Sequence, residues 1–341
     1  MIVDALSAVY GAAATLRRRW YARNATRTRR LAHPVISMGN LRVGGTGKTP
    51  AVACLARLLL ERGERPAILS RGYARLQPSG GVTVVSDRER VVADVAHAGD
   101  EPMWLARALP GVPVLVCADR YLAGRCAETA FGVTVHLLDD GFQHVKLARD
   151  LDLLLVDPLD LDDHVLPAGR LREPMANAAV ADAVIVPGVS FDTARTVAER
   201  LGVREAFAMS RSLGTLTMLS DGDVRPASDA AVFAIAGIAR PERFFNDLRS
   251  GGFNVVGTLE FGDHHAFRQQ DIGRIVAAAR ACGAAVVVTT EKDAVRLERL
   301  DLHAMPFAAV PLQTCIEPVD GFASWVSNRL EQARARRRPL Q

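Results

Sequence analysis

Met38-Gly39-Asn40-Leu41-Arg42-Val43-Gly44-Gly45-Thr46-Gly47-Lys48-Thr49-Pro50 is the stretch whose reading decides the fold. The apolar run Pro34-Val35-Ile36 precedes it, and Ala51 to Glu61 follows with Val52, Leu55, Leu58 and Leu59 at helical spacing. The pattern predicts a strand, a glycine loop and a helix. That order suits phosphate: glycines without Cβ let consecutive backbone N–H groups turn toward one anion, and the helix N-terminus adds the positive end of its dipole. Lys48 supplies a cation and the Thr49 hydroxyl can ligate Mg²⁺. The nucleotide-loop pattern G-x-x-x-x-G-K-S/T needs glycine at position 42, where this chain has Arg42, and Gly44, Gly45 and Gly47 compensate. The competing reading is a structural turn that carries a lysine.

Around this loop, 341 residues with 49% hydrophobic content leave room for two domains or one large α/β unit with a real core. The net charge of +4 is spread along the chain and gives no reason to expect nucleic acid. The five cysteines show no CxxC and no metal-type pairing with histidine, which reads as reduced thiols in a cytosolic compartment. No apolar run reaches the 18 or so residues that a spanning helix needs. Residues 1–22 are apolar from Ile2 to Leu16, and Arg17, Arg18, Arg19, Arg23, Arg27, Arg29 and Arg30 follow. This is the reverse of a signal peptide's order. With Trp20 and Tyr21 at its end, the segment reads as a helix dipping into the cytoplasmic membrane face, or else as an ordinary docked helix with a solvated arginine face.

Apolar runs at 66–70, 112–117, 133–139, 152–157 and 181–187, separated by helical patterns, predict a parallel, doubly wound sheet. Gln77 to Asp87 reads as a short hairpin-like excursion. Arg71 follows the second strand, at the end where open parallel sheets place ligands, or lies in a plain turn. Asp100, in Gly99-Asp100-Glu101-Pro102, opens a helix and is either its cap or something more. Asp139 and Asp140 end an apolar strand about 90 residues after the loop, the position from which a nucleotide-hydrolysing P-loop protein holds Mg²⁺. Pro167 to Pro174 is a proline-bounded loop with Arg170, Arg172 and Glu173. Further strands at 231–237, 255–261 and 284–290 predict a second, smaller α/β domain. Asp263-His264-His265 has too few spaced ligands for a metal and suits a His–Asp proton-transfer pair better. Lys292-Asp293 has the wrong order and spacing for guanine recognition.

Taken together, the segments at 39–50, 70–73, 99–102, 139–144, 171–174, 236–241, 263–265 and 290–295 closely resemble tetraacyldisaccharide 4′-kinase, the lipid A 4′-kinase family, over residues 1 to about 325. That family's loop also lacks glycine at the position of Arg42. The resemblance implies transfer of the ATP γ-phosphate to the 4′-hydroxyl of an acylated glucosamine disaccharide 1-phosphate, making lipid IVA at the cytoplasmic surface of the inner membrane. Lys48 and Gly44, Gly45, Thr46 and Gly47 would hold ATP, with Arg71 nearby. Thr49, Asp139 and Asp140 would hold Mg²⁺, and Glu173 would approach it. Asp100 would be the base, with His264 as its partner once two domains close. No protein partner is inferred. The expected organisation is a membrane-surface helix and basic segment at 1–30, a P-loop kinase domain at 31–215, a second α/β domain at 216–330, and a frayed basic tail at 331–341. The rival enzyme class is a P-loop NTPase acting as a membrane-associated conformational switch, and a noncatalytic membrane adaptor is a third reading.

Overall fold

The computed structural model describes residues 2–44, 47–72, 75, 77, 80–219 and 229–337. The chain forms two units, Met1–Ser210 with Thr314–Gln341, and Arg211–Gln313. In chain order the first contains α1 (Ile2–Arg23), β1 (Val35–Asn40), α2 (Lys48–Glu61), β2 (Pro66–Ser70), β3 (Thr83–Ser86), α3 (Val95–Ala98), α4 (Asp100–Ala108), β4 (Val114–Val116), α5 (Arg120–Phe131), β5 (Val135–Asp139), β6 (Leu151–Leu155), β7 (Ala183–Pro187), α6 (Phe191–Leu201) and β8 (Glu205–Leu213). The second contains β9 (Thr217–Met218), β10 (Ala231–Ala236), α7 (Pro241–Ser250), β11 (Asn254–Glu260), α8 (Gln269–Ala281), β12 (Val286–Thr290), α9 (Glu291–Leu297) and β13 (Phe307–Val310). The chain then returns to the first unit through β14 (Leu312–Glu317) and α10 (Val319–Ala335).

The first unit is built on a nine-stranded sheet in the order β14-β8-β7-β6-β1-β5-β2-β4-β3. From β8 to β4 the pairings are parallel. Strands β1, β2, β5, β6 and β7 are buried along their whole length, which is why they read in the sequence as unbroken apolar runs rather than alternating ones. Helices on both faces complete two apolar layers, one around Leu154, Val184 and Phe142, the other around Leu69, Leu115 and Leu138. Within the hairpin-like excursion expected at 77–87, Thr83–Ser86 form the edge strand β3, antiparallel to β4. The second unit has a five-stranded sheet, β11-β10-β12-β13-β9, parallel except for β9. The Ser220 to Asp223 turn lies outside the described residues.

Two expected boundaries need correction. The second unit ends at Gln313, not at 330, and residues 331–337 are not a frayed tail. The reason is the amphipathic face of α10, which buries Phe322, Ala323, Val326, Leu330 and Ala333 at helical spacing. Phe322 meets Phe207 of β8 edge-on with ring centroids 4.8 Å apart. The basic residues of this segment find acids remote in sequence: Arg329 pairs with Asp182, Arg334 with Glu64 at 2.6 Å, and Arg337 with Asp150.

Helix α1 is docked within the first unit. Its inward stripe is small and polar, Ser7, Gly11 and Arg18, while Ile2, Val9 and Leu16 on the outside are 79%, 69% and 64% exposed. Ser7 Oγ accepts a hydrogen bond from Ala168 N–H at 3.0 Å, and a Cβ on Gly11 would stand 3.2 Å from the Pro174 ring. The helix therefore docks on residues 165–177 through its polar side and leaves its apolar side outward. No helix among the described residues is long and apolar enough to cross a membrane.

Candidate active site

In the first unit, β1 lies between β5 and β6, and its register sets Met38 beside Asp139. The loop after β1 and the carboxylates after β5 therefore emerge side by side at the C-terminal edge of the sheet. Gly141 N–H donates to Met38 O at 3.1 Å, locking the two strand ends together. Gly39 is required by this approach: a Cβ there would sit 2.4 Å from Phe142 Cβ. The loop itself turns through Gly44 at φ 102° and Gly47 at φ 90°, where glycine carries little steric cost, and Gly47 is the N-cap of α2. Gly45 and Thr46, expected to help hold ATP, lie outside the described residues.

Lys48 and Thr49 begin α2, and Thr49 is buried. Lys48 Nζ stands 3.7 Å from Asp140 Oδ1. Asp140 has a left-handed backbone, φ 55°, and its two oxygens accept a bidentate pair from Arg172 at 2.8 Å each. Arg172 also donates to Asn40 Oδ1 at 2.5 Å. Burial disfavours the charged form of Asp140, but Lys48, Arg172 and Arg120 outweigh it and hold the carboxyl down to about 2. Asp139 is buried beside it at the end of β5.

Arg42 is explained by this site's wall. Its guanidinium donates to Asp160 at 2.5 Å, both side chains being buried. Its backbone bridges Leu171, and the neighbouring Val43 N–H donates to Arg170 O at 2.8 Å. The position that the general pattern gives to glycine here fastens the phosphate loop to the segment carrying Arg172.

The sequence reading missed Arg120, although it follows β4 just as Arg71 follows β2. Arg120 is buried at the start of α5, and burial followed by Arg71 pushes its pKa down to about 10, against the opposing pull of Asp140 and Asp139. Arg71 is thereby electrostatically connected to the same cluster, itself exposed at the strand end. His144 is pushed down to about 4, first by burial and then by Arg120, and is neutral near pH 7.

Asp100 is the first residue of α4, and Gly99, at φ 86°, takes the N-cap position without a side-chain cap, so the capping role does not fall to Asp100. Glu173 is directed elsewhere than expected. Its oxygens accept from Arg18 Nε and Nη2, both at 2.8 Å, and from Asn177 at 2.9 Å, and the pair is buried. Its observed role is to hold α1, and Arg18 also lies 4.0 Å over the Phe142 ring.

In the second unit, His264 follows β11 with φ 59°, and its Nε2 is 3.9 Å from Asp263, too far for a hydrogen bond. The expected pair of neighbours is thus not formed. His265 instead meets Asp271 at 3.1 Å, and His264 Nδ1 meets Arg296 Nη2 at 3.3 Å. Thr49, Asp139 and Asp140 are hard oxygen donors of the kind Mg²⁺ takes, and Asp140 stands beside Lys48.

The family model described as Tetraacyldisaccharide-1-P 4′-kinase matches residues 1–331. A tetraacyldisaccharide 4′-kinase of Geobacter metallireducens is 41% identical over 339 residues, covering 93% of this chain and 97% of that protein. One from Geobacter sulfurreducens is 40% identical over 320 residues, covering 92% and 88%. A crystal structure of LpxK from Aquifex aeolicus in complex with ATP superposes with a TM-score of 0.77 at 32% identity, covering 97% of this chain and all of that one. Matched along nearly its whole length by the family model, by curated relatives and by a solved structure, the chain belongs to the tetraacyldisaccharide-1-phosphate 4′-kinase family.

Proposed function

We propose that this chain transfers the γ-phosphate of ATP to the 4′-hydroxyl of an acylated glucosamine disaccharide 1-phosphate, the step that makes lipid IVA in lipid A biosynthesis, at the cytoplasmic surface of the inner membrane. The observation that carries this reading is the Lys48–Asp140–Arg172 cluster at the head of α2. At 3.7 Å Lys48 is attracted to Asp140 but too distant for a good hydrogen bond, so it turns toward phosphate oxygens without breaking one. Thr49, Asp139 and Asp140 are the residues that would hold Mg²⁺, which when bound would neutralise charge on the transferring phosphoryl group. Arg172 keeps Asp140 ionised and aimed. Asp100 takes the proton of the attacking hydroxyl, a contribution of roughly 10²–10⁴-fold, with His264 as its partner. The outward apolar face of α1 and the arginines after it suit a monotopic seat on an anionic leaflet.

Incubating the full chain with ATP, Mg²⁺ and the disaccharide lipid in mixed micelles tests this. Acceptor-dependent formation of a phosphorylated lipid is expected. Phosphate release indifferent to the acceptor, with no phosphorylated lipid, overturns the reading in favour of a nucleotide-hydrolysing switch.

A further inference from the structure

Strand β12 hands over to α9 at Thr290, whose hydroxyl donates to Asp293 Oδ2 at 2.8 Å and accepts from Asp293 N–H at 3.1 Å. The Asp293 side chain is fully buried. It accepts from Gly237 N–H at 3.0 Å and from Arg296 Nη1 at 2.9 Å. Gly237 O in turn accepts from Arg296 Nη1 at 2.9 Å and from His264 N–H at 3.2 Å. Gly237 suits this crowding, since a Cβ there would meet Asp293 Oδ1 at 3.1 Å. Asp293, Gly237 and Thr290 thus fix the Arg296 guanidinium, whose Nη2 reaches His264 Nδ1 at 3.3 Å.

We propose that Arg296 is a positioning residue that sets the tautomer and ring orientation of His264. The inference rests on the reading above that His264 partners the base Asp100. A guanidinium has only donors and keeps its proton, so the imidazole nitrogen facing it presents a lone pair. The ring proton of neutral His264 is then on Nε2, because the hydrogen bond made by one ring nitrogen decides which one is protonated. His264 therefore offers Nε2–H as a donor and orients a carboxylate acceptor. It does not accept the substrate's proton at Nε2. The left-handed backbone at His264, φ 59°, is held by the bond from its own N–H to Gly237 O, so one short frame fixes both backbone and ring.

The test is long-range ¹H–¹⁵N correlation on the full chain labelled at histidine nitrogens, with the His264 signals assigned by their loss in H264Q. The wild type is expected to show the Nε2–H tautomer, with Nδ1 as the acceptor. R296K keeps a donor and is expected to keep the tautomer and most of kcat. R296Q, whose carbonyl can accept from Nδ1–H, is expected to lose the single tautomer and about tenfold or more in kcat, a part of what base catalysis supplies, with KM for ATP unchanged. An Nδ1–H signal in the wild type overturns the proposal, and that measurement needs no variant to fold. Equal impairment of R296K and R296Q with an unaltered His264 spectrum overturns it too. Unchanged kcat in H264Q would instead sink the role of His264 in the reaction, and the tautomer assignment would still stand or fall on the spectra.

Discussion

Replacing Glu173 with glutamine separates two roles that the same residue type serves at the same place in sequence. Glu173 and Arg18 are 6% and 9% exposed and joined by two hydrogen bonds of 2.8 Å. Removing one charge of such a pair strands the other, at about 3–5 kcal/mol. The glutamine oxygen still accepts one bond from Arg18, which places E173Q near the lower end, about 3 kcal/mol. R18M also loses the contact over Phe142, worth about 1 kcal/mol, and falls nearer the upper end. For a unit of this size each kcal/mol moves Tm by about 2–4 °C, so E173Q is expected to melt roughly 6–12 °C lower. The double variant R18M/E173Q is expected to fall short of the sum of the singles by about 2 kcal/mol, because the second change removes a charge already stranded. Thermal melts by circular dichroism give the cycle, and turnover at saturating and limiting Mg²⁺ gives the alternative. An unchanged Tm in E173Q, with kcat loss relieved by raising Mg²⁺, would refute the anchoring role and restore Glu173 to the phosphate site.

Three other outcomes follow from the same structure. Arg42→Gly, which installs the glycine of the general loop pattern, breaks the buried bond to Asp160 and is expected to cost about 3 kcal/mol and raise KM for ATP; a melt and KM equal to wild type would show that Arg42 fastens nothing. Leu6→Glu with Leu16→Glu on the outward face of α1 should weaken partition to anionic vesicles by roughly tenfold or more while leaving KM for ATP unchanged, and undiminished binding would count against a membrane seat for α1. Burial opposes ionisation of Glu128, but His136 and the His33 N–H outweigh it and hold it near 2 against an ordinary 4.5; burial holds His136 below 6.5. Both values are depressed, so their stabilisation is complete above the unfolded values and is lost as pH falls, His136 below about 6.5 and Glu128 from about 4.5 toward 2; E128Q should flatten Tm against pH in the latter window, and an identical acid slope would rule the pair out as its cause.

The parallel sheet was readable because its central strands are buried on both faces and so appear as continuous apolar runs, with glycines marking where the backbone must turn or let Phe142 approach. That the glycine loop and the Asp139–Asp140 pair would stand at one sheet edge was readable because each follows an apolar strand of the parallel sheet. Arg18 was not. It stands among Arg17 and Arg19 with nothing local to distinguish it, and only the rotation of α1 on the 165–177 segment buries one of the three. The contact of Glu173 was hidden for the complementary reason, since nothing near a carboxylate beside a glycine loop announces that a cation from 155 residues away pairs with it. Arg120 carries the same signal as Arg71, a position just after a parallel strand. The return of β14 and α10 to the first unit joins the apolar face of α10 to acids at 64, 150 and 182, pairings that no local pattern announces.

That return sets an order of events at the ribosome. Residues 314–337 are synthesised after the whole of the second unit, yet they cover Phe207 and neutralise Glu64, Asp150 and Asp182 of the first. The nascent first unit must wait, with that flank of its sheet bare, while about a hundred intervening residues emerge and fold, an interval of roughly 5–20 s at 5–20 residues per second. During that interval the second unit, contiguous in sequence, can finish first, and the phosphate-binding unit, though encoded first, is the last to close.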